Sequence, residues 1–484
     1  MNTIHIIMDT LRRDHLGCYG NNWIKTPNLD AFASRSVVFD RCYTGSFPCM
    51  PARRDFVTGN FEFPFRGWGP LEESDTPLAE QLGAHGVTTG LVTDHYHLFR
   101  EGAGNYHWQY DCWHFIRGME GDKVYTDPAH ELDIIYNCDP RRIAGSTREY
   151  YYRFKHFNMK REEDWPAART FMQAFDWIFR NRGHQNDIHL QIDCFPPHEP
   201  FDPPPGYAEL YDPEYQGDRL TVPSYRKWAE EYSERELRNI RALYAGNVSY
   251  VDKWFGYFID SIERLGMLDT TMIIVSTDHG TYLGDHGWTG KLFTYMYDCV
   301  AHIPMMVYHP HIPHRRESAL VQNVDVAPTI LAASNITDGP AMHGANLLPM
   351  LDQTESLARN AAHSGMFGIT HVVNDGRHAL HLHHNQSRDL YWQGKEPSYF
   401  AFKWDLGAVE AGPRRKVLRS EQAYYHPPAL FDLHDDPQQE VNLYGSEPDR
   451  VEAMQNELCR FCSEIQAPPE YLSRLLSEPT GERS

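Results

Sequence analysis

The chain predicts an α/β fold: a large mixed, mostly parallel sheet sandwiched by helices, with a smaller C-terminal α+β domain carrying a short antiparallel sheet. Three observations predict it. Apolar, β-branched runs alternate with helical periodicity through the first 360 residues. Several of those runs end directly in acids or histidines, as strands of an open α/β sheet do where they present ligand groups. After about residue 360 the pattern changes to short strands around hairpin signals. The domains are therefore drawn at 1–360 and 361–484.

Residues 3–8 form an apolar strand that ends in Asp9, followed by Thr10 and a turn-rich exit. A helix over 27–33 and a strand over 36–39 lead to Ser46-Phe47-Pro48-Cys49-Met50-Pro51-Ala52-Arg53-Arg54. Pro51 suits the first turn of a helix, where its missing N–H costs nothing. Thr58-Gly59-Asn60 reads as the end of that helix. Arg53 and Arg54 lie one turn in, close enough to face Cys49, and a thiol at a helix N-terminus beside a cation is electrostatically primed. Taken alone, Cys49 reads as an ordinary buried cysteine; partners elsewhere in the chain decide the matter.

A helix over 78–82 precedes a strand over 88–93, which delivers Asp94-His95-Tyr96-His97. Residues 105–165 are rich in Tyr, Trp, Asp and Arg without a clear period, and read as an insertion or lid region with partly helical content. An amphipathic helix over 167–180 leads to a strand over 187–194 and then Phe195-Pro196-Pro197-His198-Glu199-Pro200-Phe201, where prolines fix the backbone around His198. Residues 230–265 read as two helices. The clearest buried strand, 271–277, ends in Asp278-His279-Gly280, with Gly290-Lys291 shortly after. A strand over 304–308 and a helix over 324–334 complete the larger domain. Beyond it, strands over 370–373 and 378–383 flank the turn Asn374-Asp375-Gly376, 430–433 is a further strand, and 449–466 is a helix. That helix explains Cys459-Arg460-Phe461-Cys462 better than zinc does, since no second cysteine pair exists.

A net charge of −21 excludes non-specific nucleic-acid binding, which needs a basic footprint. No stretch approaches a membrane span, and the start lacks the pattern of a signal peptide. The nine cysteines are scattered and odd in number, which reads as reduced and cytoplasmic; a removed leader would leave the same sequence. A homo-oligomer stays open.

The strand ends converge on one chemistry. In a parallel sheet Asp9, His95 and His97, His198, and Asp278 with His279 share one edge, and Cys49 and Lys291 join them. Asp9, Asp278 and His279 supply two carboxylates and an imidazole for one divalent cation, oxygen-rich enough for Ca²⁺ or Mg²⁺ and tilted by the imidazole toward Mn²⁺.

Cys49, Pro51 and Arg53 with Thr58-Gly59 resemble the Cys-x-Pro-x-Arg signature of the type I, formylglycine-dependent sulfatases of the alkaline phosphatase superfamily, which includes the phosphonate monoester hydrolases. Asp9, 197–201, 277–280, 283–287, Gly290-Lys291, 325–329 and 430–443 extend the likeness over nearly the whole chain. The resemblance implies that Cys49 becomes formylglycine through a formylglycine-generating enzyme, and that Arg53 holds its hydrate. It implies metal ligation by Asp9, Cys49, Asp278 and His279, with Ca²⁺ or Mn²⁺ as the cation. His97 would assist release, and His198 and Lys291 would bind the transferred group and the leaving oxygen. His95 stands where the family has lysine, as a substrate-binding residue. Two departures, Thr10 for a second acid and His279 for asparagine, make the site less anionic and closer to the phosphonate hydrolases. The implied function is hydrolysis of a small organic or saccharide sulfate ester. The alternatives are a phosphonate monoester or phosphodiester hydrolase on the same scaffold, a binding protein without chemistry, and a hydrolase using the unmodified thiol.

Overall fold

The computed structural model describes residues 1–99, 104–125, 149–183, 186–291, 295–384 and 426–476. Fifteen strands are defined among them: β1 Asn2–Met8, β2 Val37–Tyr43, β3 Ser46–Phe47, β4 Thr88–Thr93, β5 Cys112–Phe115, β6 Ile188–Cys194, β7 Thr271–Ser276, β8 Tyr282–Leu283, β9 Thr289–Gly290, β10 His302–Tyr308, β11 Arg315–Gln322, β12 Ala362–Met366, β13 Thr370–Asn374, β14 His378–His383 and β15 Ala429–Asp432. The principal sheet has eight strands in the order β11-β2-β10-β7-β1-β6-β4-β5. Every strand of it except β10 runs the same way. The C-terminal ends of β1, β4, β6 and β7 therefore lie along one edge.

Alternation along the strands fills the two faces separately. Ile4, Ile6 and Met8 of β1, with Ile273 and Val275 of β7, pack with Phe171, Ala174, Phe255 and Phe258 of helices Pro166–Asn181 and Glu234–Arg264. Ile7, Met272 and Ile274 pack on the other face with Phe56, Leu78, Leu82 and Ile330, from helices Cys49–Thr58, Leu78–Ala84 and Val326–Ala333. The sheet is thus covered on both sides, as its near-continuous apolar strands require.

Two segments add detail to the sequence reading. Residues 230–265 hold two helices of very unequal length, the four-residue Trp228–Glu231, which begins just before them, and the 31-residue Glu234–Arg264. It starts in a capping box: Ser233 Oγ accepts from the Glu236 N–H, and the Ser233 N–H donates back to Glu236 Oε2 at 2.8 Å. Within 105–165, Cys112–Phe115 is an edge strand and Glu149–Asn158 a helix; 126–148 lie outside the described residues.

The second sheet has the order β15-β14-β13-β12-β3. It is antiparallel apart from β3, which pairs in parallel with Gly365–Met366 of β12. Its turn at 374–376 is the hairpin the sequence signals, with Gly376 at φ 87°. Helix Pro448–Glu464 covers it through Met454, Leu458 and Phe461. Phe61 and Phe63, just past the Cys49 helix, enter the same cluster, so that helix is anchored to the second sheet at both ends.

Asp325, fully buried after β11, receives a two-pronged grip from Arg359, both nitrogens at 2.6 Å. Removing one partner of such a pair leaves the other charge buried and uncompensated. Arg359→Ala should lower unfolding free energy by about 3–5 kcal/mol, read as a shift of the urea midpoint at unchanged slope.

Candidate active site

Cys49 is the first residue of the helix Cys49–Thr58, all of whose residues are buried, and Gly59 ends it at φ 68° with its N–H on the Asp55 carbonyl. Asp55, one and a half turns in, accepts hydrogen bonds from the Ser46 N–H at 2.6 Å, the Ser46 hydroxyl at 2.7 Å and the Glu62 N–H at 3.1 Å. The loop before the helix and the loop after it are fixed by one carboxylate.

Four residues separate Cys49 from Arg53, about one turn, so both face the strand ends. Arg53 donates to both oxygens of Asp193, at 2.8 and 2.7 Å, and to Asp278 at 2.5 Å. Its Nη2 also lies 2.9 Å from Asp9 Oδ2, and Nη1 donates to the Cys49 carbonyl at 3.2 Å. Arg54 is a correction: one further residue turns it away from Cys49, to Glu62 and the carbonyls of Gly67 and Pro70.

The ligand atoms of Asp9, Cys49, Asp278 and His279 all lie within 4.8 Å of one another, and all four residues are buried. His279 Nδ1 donates to the Gly280 carbonyl at 2.8 Å, so Nε2 carries the lone pair; it lies 3.2 Å from Cys49 Sγ. Thr10 is a β-branched residue at φ 66°, an uncommon conformation. There its hydroxyl donates to Asp9 at 2.6 Å and its N–H to Asp278 Oδ1 at 2.9 Å. Both contacts face the two acids toward the cluster, the place where strained backbone serves a site.

These residues fit a cation. Asp9 Oδ2 is buried and accepts no aligned hydrogen bond among the described residues, Arg53 being near it but out of line. Burial and the neighbouring Asp278 push the Asp9 carboxyl well up, against Arg53 and Lys291. Asp278 is held well below the usual range: burial opposes this, and His279, Arg53 and the Thr10 N–H outweigh it. Two acids in one dry site thus compete for too little positive charge. Burial, followed by Asp9 and Asp278, also pushes the Cys49 thiol well up. The expected priming of the thiol is therefore corrected: Arg53 spends its charge on three carboxylates, and Cys49 stays a neutral thiol.

His198, after β6, donates through Nδ1 to the Glu199 carbonyl at 2.7 Å, and burial lowers its pKa to about 3. Lys291 donates to Glu199 Oε2 at 2.7 Å. His97 Nε2 lies 2.9 Å from Glu120 Oε2. His95 is wholly buried beside His97 and Phe195, 3.8 Å from Asp193, with no hydrogen bond to either ring nitrogen among the described residues. Burial, then Arg53, lowers its pKa well below the usual value, so it stands neutral. Asp193, Glu199 and Glu120 are the residues that sequence reasoning did not single out. Asp193 had a signal: it is an acid next to the end of a buried strand, near where Asp9 and Asp278 stand on theirs.

Fold and site together define an ester hydrolase of the alkaline phosphatase type. A sulfatase family model matches residues 1–336. The chain is 23% identical over 501 residues to an arylsulfatase of Clostridium perfringens, covering 92% of this chain and 90% of that one. It is 26% identical over 391 residues to a choline-sulfatase of Rhizobium meliloti, covering 74% and 73%. Its fold superposes on phosphonate monoester hydrolase of Agrobacterium radiobacter with a TM-score of 0.69, at 20% identity over 96% of each chain. A solved structure in complex with its substrate D-glucosamine-2-N,6-O-disulfate matches with a TM-score of 0.68 at 18% identity, over 97% of this chain and 99% of that one. The chain belongs to the sulfatase family and is a sulfuric ester hydrolase.

Arg53→Lys keeps the charge and removes the planar fork that meets three carboxylates. It should lower kcat by about 100-fold, the cost of displaced groups in a site of this kind, with the far-UV circular dichroism unchanged.

Proposed function

We propose that the protein cleaves sulfate esters of small organic or saccharide alcohols by attack from residue 49, oxidised from cysteine to formylglycine by a formylglycine-generating enzyme. The observation that carries this reading is the placement of Cys49 Sγ inside the cluster of Asp9, Asp278 and His279, at 3.2 Å from the His279 lone pair. Formylglycine supplies a hydrated aldehyde whose two hydroxyls serve as nucleophile and as the means of releasing sulfate. A divalent cation, Ca²⁺ or Mn²⁺, held by Asp9, Asp278, His279 and residue 49, supplies Lewis acidity at the nucleophile and the sulfuryl oxygens.

The chain's own residues do the rest. Asp9 and Asp278 bring the negative charge that holds the cation, and the Gly280 carbonyl fixes the His279 tautomer that leaves Nε2 to bind. Arg53 holds the hydrate at the start of its helix. Lys291 brings a permanent positive charge: burial opposes its protonation, and Glu199 above all holds its pKa well up. It stabilises charge on the transferred group and the leaving oxygen, joined by His198 when that ring is protonated, since the neutral ring presents a lone pair at Nε2. His97 takes a proton as sulfate is released, with Glu120 at its Nε2. His95, neutral where a lysine would be charged, contacts the sulfuryl oxygens by hydrogen bonding alone.

The relatives' names support the substrate class: an arylsulfatase, an N-acetylglucosamine-6-O-sulfatase and a choline-sulfatase. His279 and Thr10 favour a second activity on phosphonate monoesters, since the same donors meet any tetrahedral oxyanion. All eight described cysteines are free, which suits a reducing, cytoplasmic setting.

Two measurements test the reading. The peptide containing residue 49 should be lighter than the cysteine form by the exchange of sulfur for oxygen and the loss of two hydrogens; fully active enzyme with intact Cys49 would reject formylglycine. Metal-loaded enzyme should show higher kcat/KM on an aryl sulfate than on a phosphonate monoester or a phosphodiester, and Cys49→Ala should abolish all three.

A further inference from the structure

Glu199 sits between His198 and Pro200 in the loop after β6, only 1% exposed. It meets every group proposed for the leaving-group end of the site. One oxygen accepts from the Lys291 ammonium at 2.7 Å and lies 3.3 Å from His198 Nδ1. The other accepts from the Tyr225 hydroxyl. Its backbone carbonyl takes the His198 Nδ1–H. One residue therefore holds the His198 ring by its Nδ1–H, which leaves the lone pair on Nε2 while the ring is neutral, and sets the direction of the Lys291 side chain.

Three separate segments are built to bring these groups together. The Thr289 N–H donates to the Arg226 carbonyl at 3.0 Å and its hydroxyl to the Ser224 carbonyl at 2.7 Å, so the Tyr225 segment lies along β9, beside Lys291. Gly290 permits this: it has φ 84°, and a Cβ there would stand 2.1 Å from the Tyr225 ring. The Glu199 loop is held from behind, with Asn247 of the long helix donating to the Pro200 carbonyl at 3.3 Å and the Phe201 N–H to the Thr221 carbonyl at 2.6 Å. A buried ion pair adds little to stability over apolar packing. Gly290 at a positive φ and a half-buried tyrosine hydroxyl on the carboxylate go beyond what neutralising one lysine needs.

We propose that Glu199, steadied by Tyr225, is the positioning residue of the leaving-group end, aiming the Lys291 ammonium at the oxygen that departs as the sulfur–oxygen bond breaks. This rests on the sulfate-ester reading above and extends it to a residue outside the metal cluster. A residue that merely neutralises Lys291 or supports the loop would, on removal, slow all esters alike. A positioning residue for the leaving oxygen matters most where that oxygen most needs stabilisation, on alkyl and sugar sulfates, and least on nitrophenyl sulfate, whose oxygen leaves unaided.

The experiment is a leaving-group series, from 4-nitrophenyl through phenyl to an alkyl sulfate, on metal-loaded enzyme with residue 49 converted. It compares wild type, Glu199→Gln, Tyr225→Phe and Lys291→Ala. Glu199→Gln should cut kcat by about 100-fold on the alkyl ester and by under about 10-fold on the nitrophenyl ester, within the range of a lost proton-transfer or electrostatic partner, with KM little changed. Tyr225→Phe, which removes only a hydroxyl, should tilt the series the same way to a smaller degree. Equal losses across the series in both variants, or no loss in either, overturn the proposal for Glu199. If Lys291→Ala itself shows no dependence on the leaving group, the role assigned to Lys291 fails first and takes this inference with it.

Discussion

One buried guanidinium holds three carboxylates, and the site depends on that imbalance. Arg53 meets Asp9, Asp193 and Asp278 from strands β1, β6 and β7, thereby joining the Cys49 helix to the centre of the sheet. Its position follows from the helix: one turn beyond Cys49, on a helix whose approach and exit are both bound to Asp55. Three acids around one cation in a dry interior leave negative charge over. A divalent cation at the four converging donors would offset that excess; without one, burial and Asp278 push the Asp9 carboxyl up. Burial, and then Asp9 and Asp278, push the Cys49 thiol up in the cation-free site.

The remaining charged groups follow a second rule: each basic side chain is backed by a buried acid. Lys291 has Glu199, His97 has Glu120, and Arg53 has Asp193 as its bidentate partner. Buried ion pairs rarely add stability over apolar packing, so their concentration here fits orientation and charge retention better than strength of fold. His95 is the exception among them: it touches Asp193 only at 3.8 Å and stands neutral among aromatic rings.

Much of this was legible in the sequence because it is local. Each strand that carries a site residue announces itself as an apolar run broken by Asp9, Asp94 or Asp278, and Cys49, Pro51 and Arg53 sit within one helical turn. What stayed hidden is pairing between distant segments. Glu199 and Tyr225, or His97 and Glu120, share nothing in sequence that predicts contact. The Ser46–Phe47 strand is two residues long and gains its sheet only from β12, more than 300 residues on. The priming of Cys49 failed because its setting is not local: helix and arginine are visible in the sequence, whereas the burial that pushes the thiol up, and the acids Asp9 and Asp278 that add to it, come with the folded sheet.

The central claim is that the Asp9–Asp278–His279 cluster holds a cation that Arg53 alone cannot replace. Metal analysis of purified wild-type enzyme and of Asp9→Asn, each matched to its rate on an aryl sulfate, tests it most directly. The account predicts one divalent cation per chain in the wild type, and loss of metal together with turnover in the variant. Wild-type enzyme that hydrolyses the ester at full rate after complete chelation, with no bound cation, would contradict it.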